Sequence, residues 1–241
     1  MKTIAQKMIA AGAGLFLTTN VAVYGTTTLY NNSTVDTGTS LSFINGTTIG
    51  NEITMAGGSS SYSLSSFSFE IVSPETAFIG SPSMEIFLYA NNGIPAFNGY
   101  DTPKTVLYDS GLFSLSTPYV YDGSSAPPSP NYGATLLTDL SGSPITVPSD
   151  FTLAVEVTGL AAGDSLGMEF FDPATVGSNF GDYWQNNGTG WQLDTVSSVG
   201  NQKDFGAEFF GSATPAPDAA STAMLLGAAL SGLALLRRKL S

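Results

Sequence analysis

Apolar and polar residues alternate one for one along several short segments of this chain, a period that fits β-strands and does not fit helices. In Ser66-Phe-Ser-Phe-Glu-Ile71, Phe67, Phe69 and Ile71 share one face while Ser68 and Glu70 point to the other. Met84 to Tyr89 repeats the pattern through Met84, Ile86 and Leu88, and Phe151 to Val157 does so through Phe151, Leu153, Val155 and Val157. Leu166 to Phe170 and Phe205 to Phe209 follow the same rule. Further short strands are expected over 40–45, 49–55, 105–108, 112–116 and 190–194. Turn residues separate them: Asn45-Gly46, Asn92-Gly93, Asp122-Gly123, Asn187-Gly188 and the proline-rich stretch Ala126 to Pro130. No helical period appears before residue 219. About ten short strands with such turns imply an all-β, antiparallel two-sheet sandwich, jelly-roll-like in the broad sense.

Composition narrows the chemistry such a domain can carry. The chain has no His and no Cys, which excludes a Ser-His-Asp triad, a Cys nucleophile and any His- or Cys-ligated zinc or iron site. No disulfide framework exists, so the core alone must hold the fold. With 7 Lys+Arg against 19 Asp+Glu the formal net charge is -12, which argues against nucleic acid as a partner because phosphate binding needs clustered bases.

Both ends read as addresses. Lys2 and Lys7 precede an apolar run from Met8 to Leu17, and Val23 and Gly25 supply small residues at the -3 and -1 positions of a cleavage site. Residues 1–25 are therefore expected to be a secretory signal peptide cut near Gly25-Thr26, with Ala22 as an alternative. Residues 219–236 contain no charge over eighteen positions. As a helix they would rise about 27 Å, enough to cross a bilayer once. Arg237, Arg238 and Lys239 follow at once and would stay cytoplasmic, leaving 237–241 as a basic tail. The expected organisation is a β-sandwich ectodomain at 26–211, a linker and sorting motif at 212–218, the transmembrane helix at 219–236 and the tail.

The segment Ala216-Pro-Asp-Ala-Ala-Ser-Thr222, followed by the short apolar helix and Arg-Arg-Lys near the end, resembles the PEP-CTERM class of sorting signals. The nearest branch reads Val-Pro-Asp-x-Gly-Ser-Thr. Pro217, Asp218, Ser221 and Thr222 match it, whereas Ala216 and Ala220 replace the usual Val and Gly. The resemblance implies an exosortase-type processing enzyme as partner, cleavage near the motif, and transfer of the ectodomain to the cell surface or extracellular polysaccharide. The segments Leu29 to Asn32, Ile49 to Ile53, Leu88 to Gly93 and Leu107 to Gly111 are similar to uncharacterised β domains found upstream of such tails. That second resemblance implies fold and compartment and carries no activity.

Three candidate chemistries remain for the ectodomain. Tyr183, Trp184 and Trp191 cluster around Asn186-Asn-Gly-Thr-Gly190 and would suit carbohydrate, with Phe87, Tyr89, Phe171 and Phe210 on the outer faces. Asp172, Asn179 and Asp182 lie in one glycine-containing segment and could supply oxygen ligands to calcium. Glu70, Glu85, Glu156, Glu169 and Glu208 occupy outward positions and could pair as acid and base of a glycoside hydrolase or lyase, although alternation alone puts Glu there. The expected role is that of a non-catalytic surface or matrix protein, with a carbohydrate-binding module as the alternative and an enzyme third.

Overall fold

The computed structural model describes residues 26–74, 77–97, 100–115, 132–195 and 203–214. The signal segment, the motif at Pro217, Asp218, Ser221 and Thr222, the apolar stretch 219–236 and the basic residues Arg237, Arg238 and Lys239 lie outside the described residues.

Among the described residues the fold is all-β, with two antiparallel sheets. In chain order the strands are β1 (Thr27–Asn31), β2 (Asp36–Ser42), β3 (Thr47–Thr54), β4 (Ser61–Ser73), β5 (Ser83–Phe97), β6 (Tyr100–Asp109) and β7 (Phe113–Ser114). They continue as β8 (Tyr132–Asp139), β9 (Ile145–Pro148), β10 (Asp150–Thr158), β11 (Gly167–Phe171), β12 (Ser178–Asn186), β13 (Trp191–Asp194) and β14 (Ala207–Ala213). One sheet runs β1-β14-β4-β11-β2, with β8 and β9 also paired to β4. The other runs β13-β12-β3-β10-β5-β6, with β7 on β5.

The inward faces are those read from alternation. Met84, Ile86, Leu88, Phe151, Leu153, Val155 and Val157 from one sheet meet Leu64, Phe67, Phe69, Ile71 and Phe209 from the other in one buried cluster. Phe209 is its hub. Its ring stacks on Phe67 at 5.3 Å, meets Phe151 edge-on at 5.2 Å and lies 6.1 Å from Tyr30. Rings from β4, β10 and β1 thus converge on a β14 residue, joining both sheets through offset and edge contacts that aromatic quadrupoles favour.

Several local expectations change. Asn92-Gly93 is not a turn: β5 continues through both and keeps pairing with β6 by register shifts on either side of Gly93. The strands β1, β8, β9 and β12 carry weak or no alternation, because β8 is an edge strand and β12 is bulged. Strand β14 extends through Ala213, opposite Tyr62, so Ser212 and Ala213 belong to the sheet and not to a linker.

Truncating the hub measures how far the sheets depend on it. Phe209→Ala is expected to lower unfolding stability by about 3–5 kcal/mol, the usual cost of emptying a large aromatic site, read as a shift in the urea midpoint at constant slope.

Candidate functional site

The outward face of the β13-to-β6 sheet gathers most of the polar and aromatic side chains available for chemistry. Register puts Glu85, Phe87, Tyr89 and Asn91 of β5 on the same face as Asp150, Thr152, Ala154 and Glu156 of β10. The same face takes Thr48, Gly50, Glu52 and Thr54 of β3, Trp184 and Asn186 of β12, Trp191 and Leu193 of β13, and Asp109 of β6.

The face is concave. Strands β5 and β13 are separated by β10, β3 and β12, a span of about 19 Å at normal strand spacing. The rings of Tyr89 and Trp191 nevertheless meet, edge to face, with centroids 5.4 Å apart. They reach each other over the strands between, whose outward residues at the middle register are Ala154, Gly50 and Trp184. Gly50 has no room for more: a Cβ there would sit 2.7 Å from Thr152 Cγ2 and 3.2 Å from Ala154 Cβ. Ala154 and Thr152 face outward by register yet are completely buried. Phe87 extends the platform, 5.6 Å from Tyr89. Farther along, Tyr100 at the start of β6 meets Phe180 of β12 at 4.9 Å, so the long β5–β6 hairpin arches over the same face.

Acids stand at both ends of the aromatic pair. Under the hairpin, Asp150 is held as an acceptor on both oxygens, by Asn91 Nδ2 at 2.6 Å and Thr54 Oγ1 at 3.0 Å. Asn91 is itself oriented by Thr152 Oγ1 at 2.7 Å. Glu52 sits beside Asp150, Asn91 and the indole of Trp184, and its Oε2 has no hydrogen-bond partner. Burial first, then the contact with and charge of Asp150, push its pKa up to about 8. At the other end Glu85 and Glu156 are directly opposite on neighbouring strands, and Asp109 hydrogen-bonds Glu85. Desolvation, that bond and the two neighbouring charges raise the Glu85 pKa. Glu156 accepts from Thr48 Oγ1 at 2.9 Å, and Asp109 from the Gly111 amide at 2.7 Å.

Only part of the sequence-based site survives. Trp191 is partly exposed on this face, but Trp184 is fully buried and Tyr183 nearly so. Adjacent strand residues point to opposite faces, so Tyr183 turns into the core, its hydroxyl donating to Asp194 at 2.6 Å with Lys203 over its ring. Tyr183 and Trp184 are thus not exposed sugar platforms, and Tyr89 takes the place beside Trp191. Glu70 and Glu169 are buried rather than solvated. Glu70 accepts from Thr135 of β8, while Phe171, also buried, packs where Gly206 leaves room between it and the Glu70 stem. Glu208 accepts from Asn31 and Ser33. Glu85 and Glu156 lie directly opposite each other on neighbouring strands.

The segment expected as a calcium loop is half strand. Asn179 and Asp182 belong to β12, whose pairing with β3 breaks between Asn179 and Tyr183, and Asn51 fills the gap by donating to the carbonyls of Phe180 and Asp182. Asp172 follows β11. Both Asp172 and Asp182 bear on Asp204, a completely buried carboxyl that no sequence signal distinguished. Burial, then the Asp172 charge, raise the Asp204 pKa to about 7. Among the described residues no group of three or more acids is placed to hold a metal ion. Comparison with known proteins adds no relative: no family model, no curated protein and no solved structure matches this chain.

Glu52 and Asp204 together set a pH dependence. Each binds its proton more tightly folded than unfolded, so its contribution is complete below ordinary carboxyl pKa values and is lost as pH rises through the folded ones. Thermal midpoints should fall between pH 5 and pH 8.5, and Glu52→Gln or Asp204→Asn should flatten that fall. An unchanged slope in both variants would contradict the assignment. Separately, Glu85→Gln relieves a like-charge pair directly across two strands and should raise stability by about 0.2–1 kcal/mol.

Proposed function

We propose that the chain is an exported, exosortase-sorted protein of the cell surface or extracellular matrix, and that its ectodomain is a non-catalytic, jelly-roll-like carbohydrate-binding module. The observation that carries the binding role is the Tyr89–Trp191 ring pair, which meets across the strands of the outward sheet face. Two rings on a concave, rigid strand face offer a sugar apolar stacking surface, and the surrounding Asn91, Asn186, Thr48 and carboxylates offer hydrogen bonds to hydroxyls. The site is built on strands: β5, which carries Tyr89, is paired on both sides, and β13, which carries Trp191, is the edge strand paired to β12. The sorting half of the reading is supported by the sequence order of signal segment, folded domain, Pro217-Asp218, apolar helix and basic stop. Strand β14 ends at Ala213, close to the motif, so a cut near Asp218 to Thr222 would free the domain with only a few residues beyond that strand.

Direct hydrolysis fits less well. A glycosidase pair needs carboxyls separated by about 5–9.5 Å around the scissile bond, whereas Glu52 contacts Asp150 and Glu85 contacts Asp109.

Retention on immobilised polysaccharides, with and without calcium, tests the ectodomain role. Trp191→Ala and Tyr89→Ala should each weaken retention by about tenfold or more, with circular dichroism unchanged, since base-like stacking of rings contributes about 1–3 kcal/mol. Unaltered retention in both variants would move the site elsewhere. For sorting, the intact mass of the native protein should end near Asp218 to Thr222 outside the membrane; an extracellular product still ending at Ser241 would sink the processing step.

A further inference from the structure

The carboxylates around Tyr89 break a rule that strands normally keep. Glu156 and Glu85 face each other directly across β10 and β5, where like charges destabilise pairing, and Asp109 on β6 adds a third acid bonded to Glu85. All three charges reach the Tyr89 hydroxyl. Among the described residues no ion pair reaches these acids: the one formed joins Lys203 to Asp194 at 3.7 Å, at the end of β13, and Lys104 of β6 makes none. At the other end of the same face stands a further acid, Glu52, more than nine-tenths buried with Oε2 lacking a donor.

We infer that the groove recognises an amine-bearing polysaccharide, a hexosamine polymer with free ammonium groups. This rests on the carbohydrate reading and names its ligand class. Stacking on Tyr89 and Trp191 would seat a sugar ring between the two acidic ends. An ammonium on that ring, or on its neighbour, then meets Glu85 paired with Glu156 or with Asp109, beside the electron-rich faces of Phe87 and Tyr89, the combination that attracts organic cations. The ligand would relieve the cross-strand repulsion that the free protein carries. A uronate polymer would meet the same three carboxylates as like charges and be rejected.

The test uses the full chain, solubilised with its apolar tail, and hexamers of glucosamine, N-acetylglucosamine and glucose in isothermal titration at low and moderate salt. The glucosamine hexamer is expected to bind at least about tenfold more tightly than the other two and to weaken with salt. Glu85→Gln with Glu156→Gln should remove that preference, bringing the glucosamine hexamer to the affinity of the neutral ones, and Trp191→Ala should weaken all three. Equal affinity for the three hexamers would overturn the amine inference and leave the carbohydrate reading standing. Binding of none would sink both. Binding that required added calcium would also overturn it, because a metal ion would then be what the acids hold. Thermal melts of the double variant, expected at or above the parent midpoint, separate lost recognition from lost fold.

Discussion

The packing of the Phe209 ring against Phe67, Phe151 and Tyr30 ties the two sheets together, and the placement of other side chains follows from it. Once Phe151, Leu153, Val155 and Val157 face that cluster, their neighbours on β10 must face away. Asp150, Thr152, Ala154 and Glu156 are therefore delivered to the outer face, and antiparallel register lines them up with β3 and β5. A one-residue slip would exchange the two sets and bury the acids, at a cost the core does not tolerate. The aromatic core thus fixes the groove from behind.

The groove's shape depends on what is missing from its floor. Glycine at 50 lets β3 lie close against Thr152 and Ala154 of β10, and a larger side chain there would collide with Thr152. Glu52 is buried beside Asp150, which is why its carboxyl holds its proton more tightly than usual. Burial and like charge act in the same direction there. At the open end, the acids are more exposed and their mutual repulsion is the larger feature of the design.

On the proposed reading the two halves of the chain divide the work. The terminal segments decide where the domain is delivered, and the sheet face decides what it holds on arrival. An acidic exterior repels anionic polymers and so narrows the matrix components that such a domain can retain.

Much of the fold was legible because alternation is a local property: Phe67, Phe69 and Ile71, or Met84, Ile86 and Leu88, declare their shared face without reference to any partner strand. Outward positions were legible for the same reason at Glu85, Phe87, Tyr89 and Glu156. Burial of outward residues was not, because it depends on what crosses over them. Glu70, Glu169, Phe171 and Trp184 all have outward parity and are all buried, Glu70 beside Thr135 of β8 and Phe171 against the chain at Gly206. The absence of His and Cys and the strand period were determined by the sequence itself, since composition and local pattern suffice for them. The meeting of Tyr89 with Trp191, the contact of Glu52 with Asp150 and the burial of Asp204 were decided only by tertiary structure, because each joins residues far apart in the chain through sheet order and curvature.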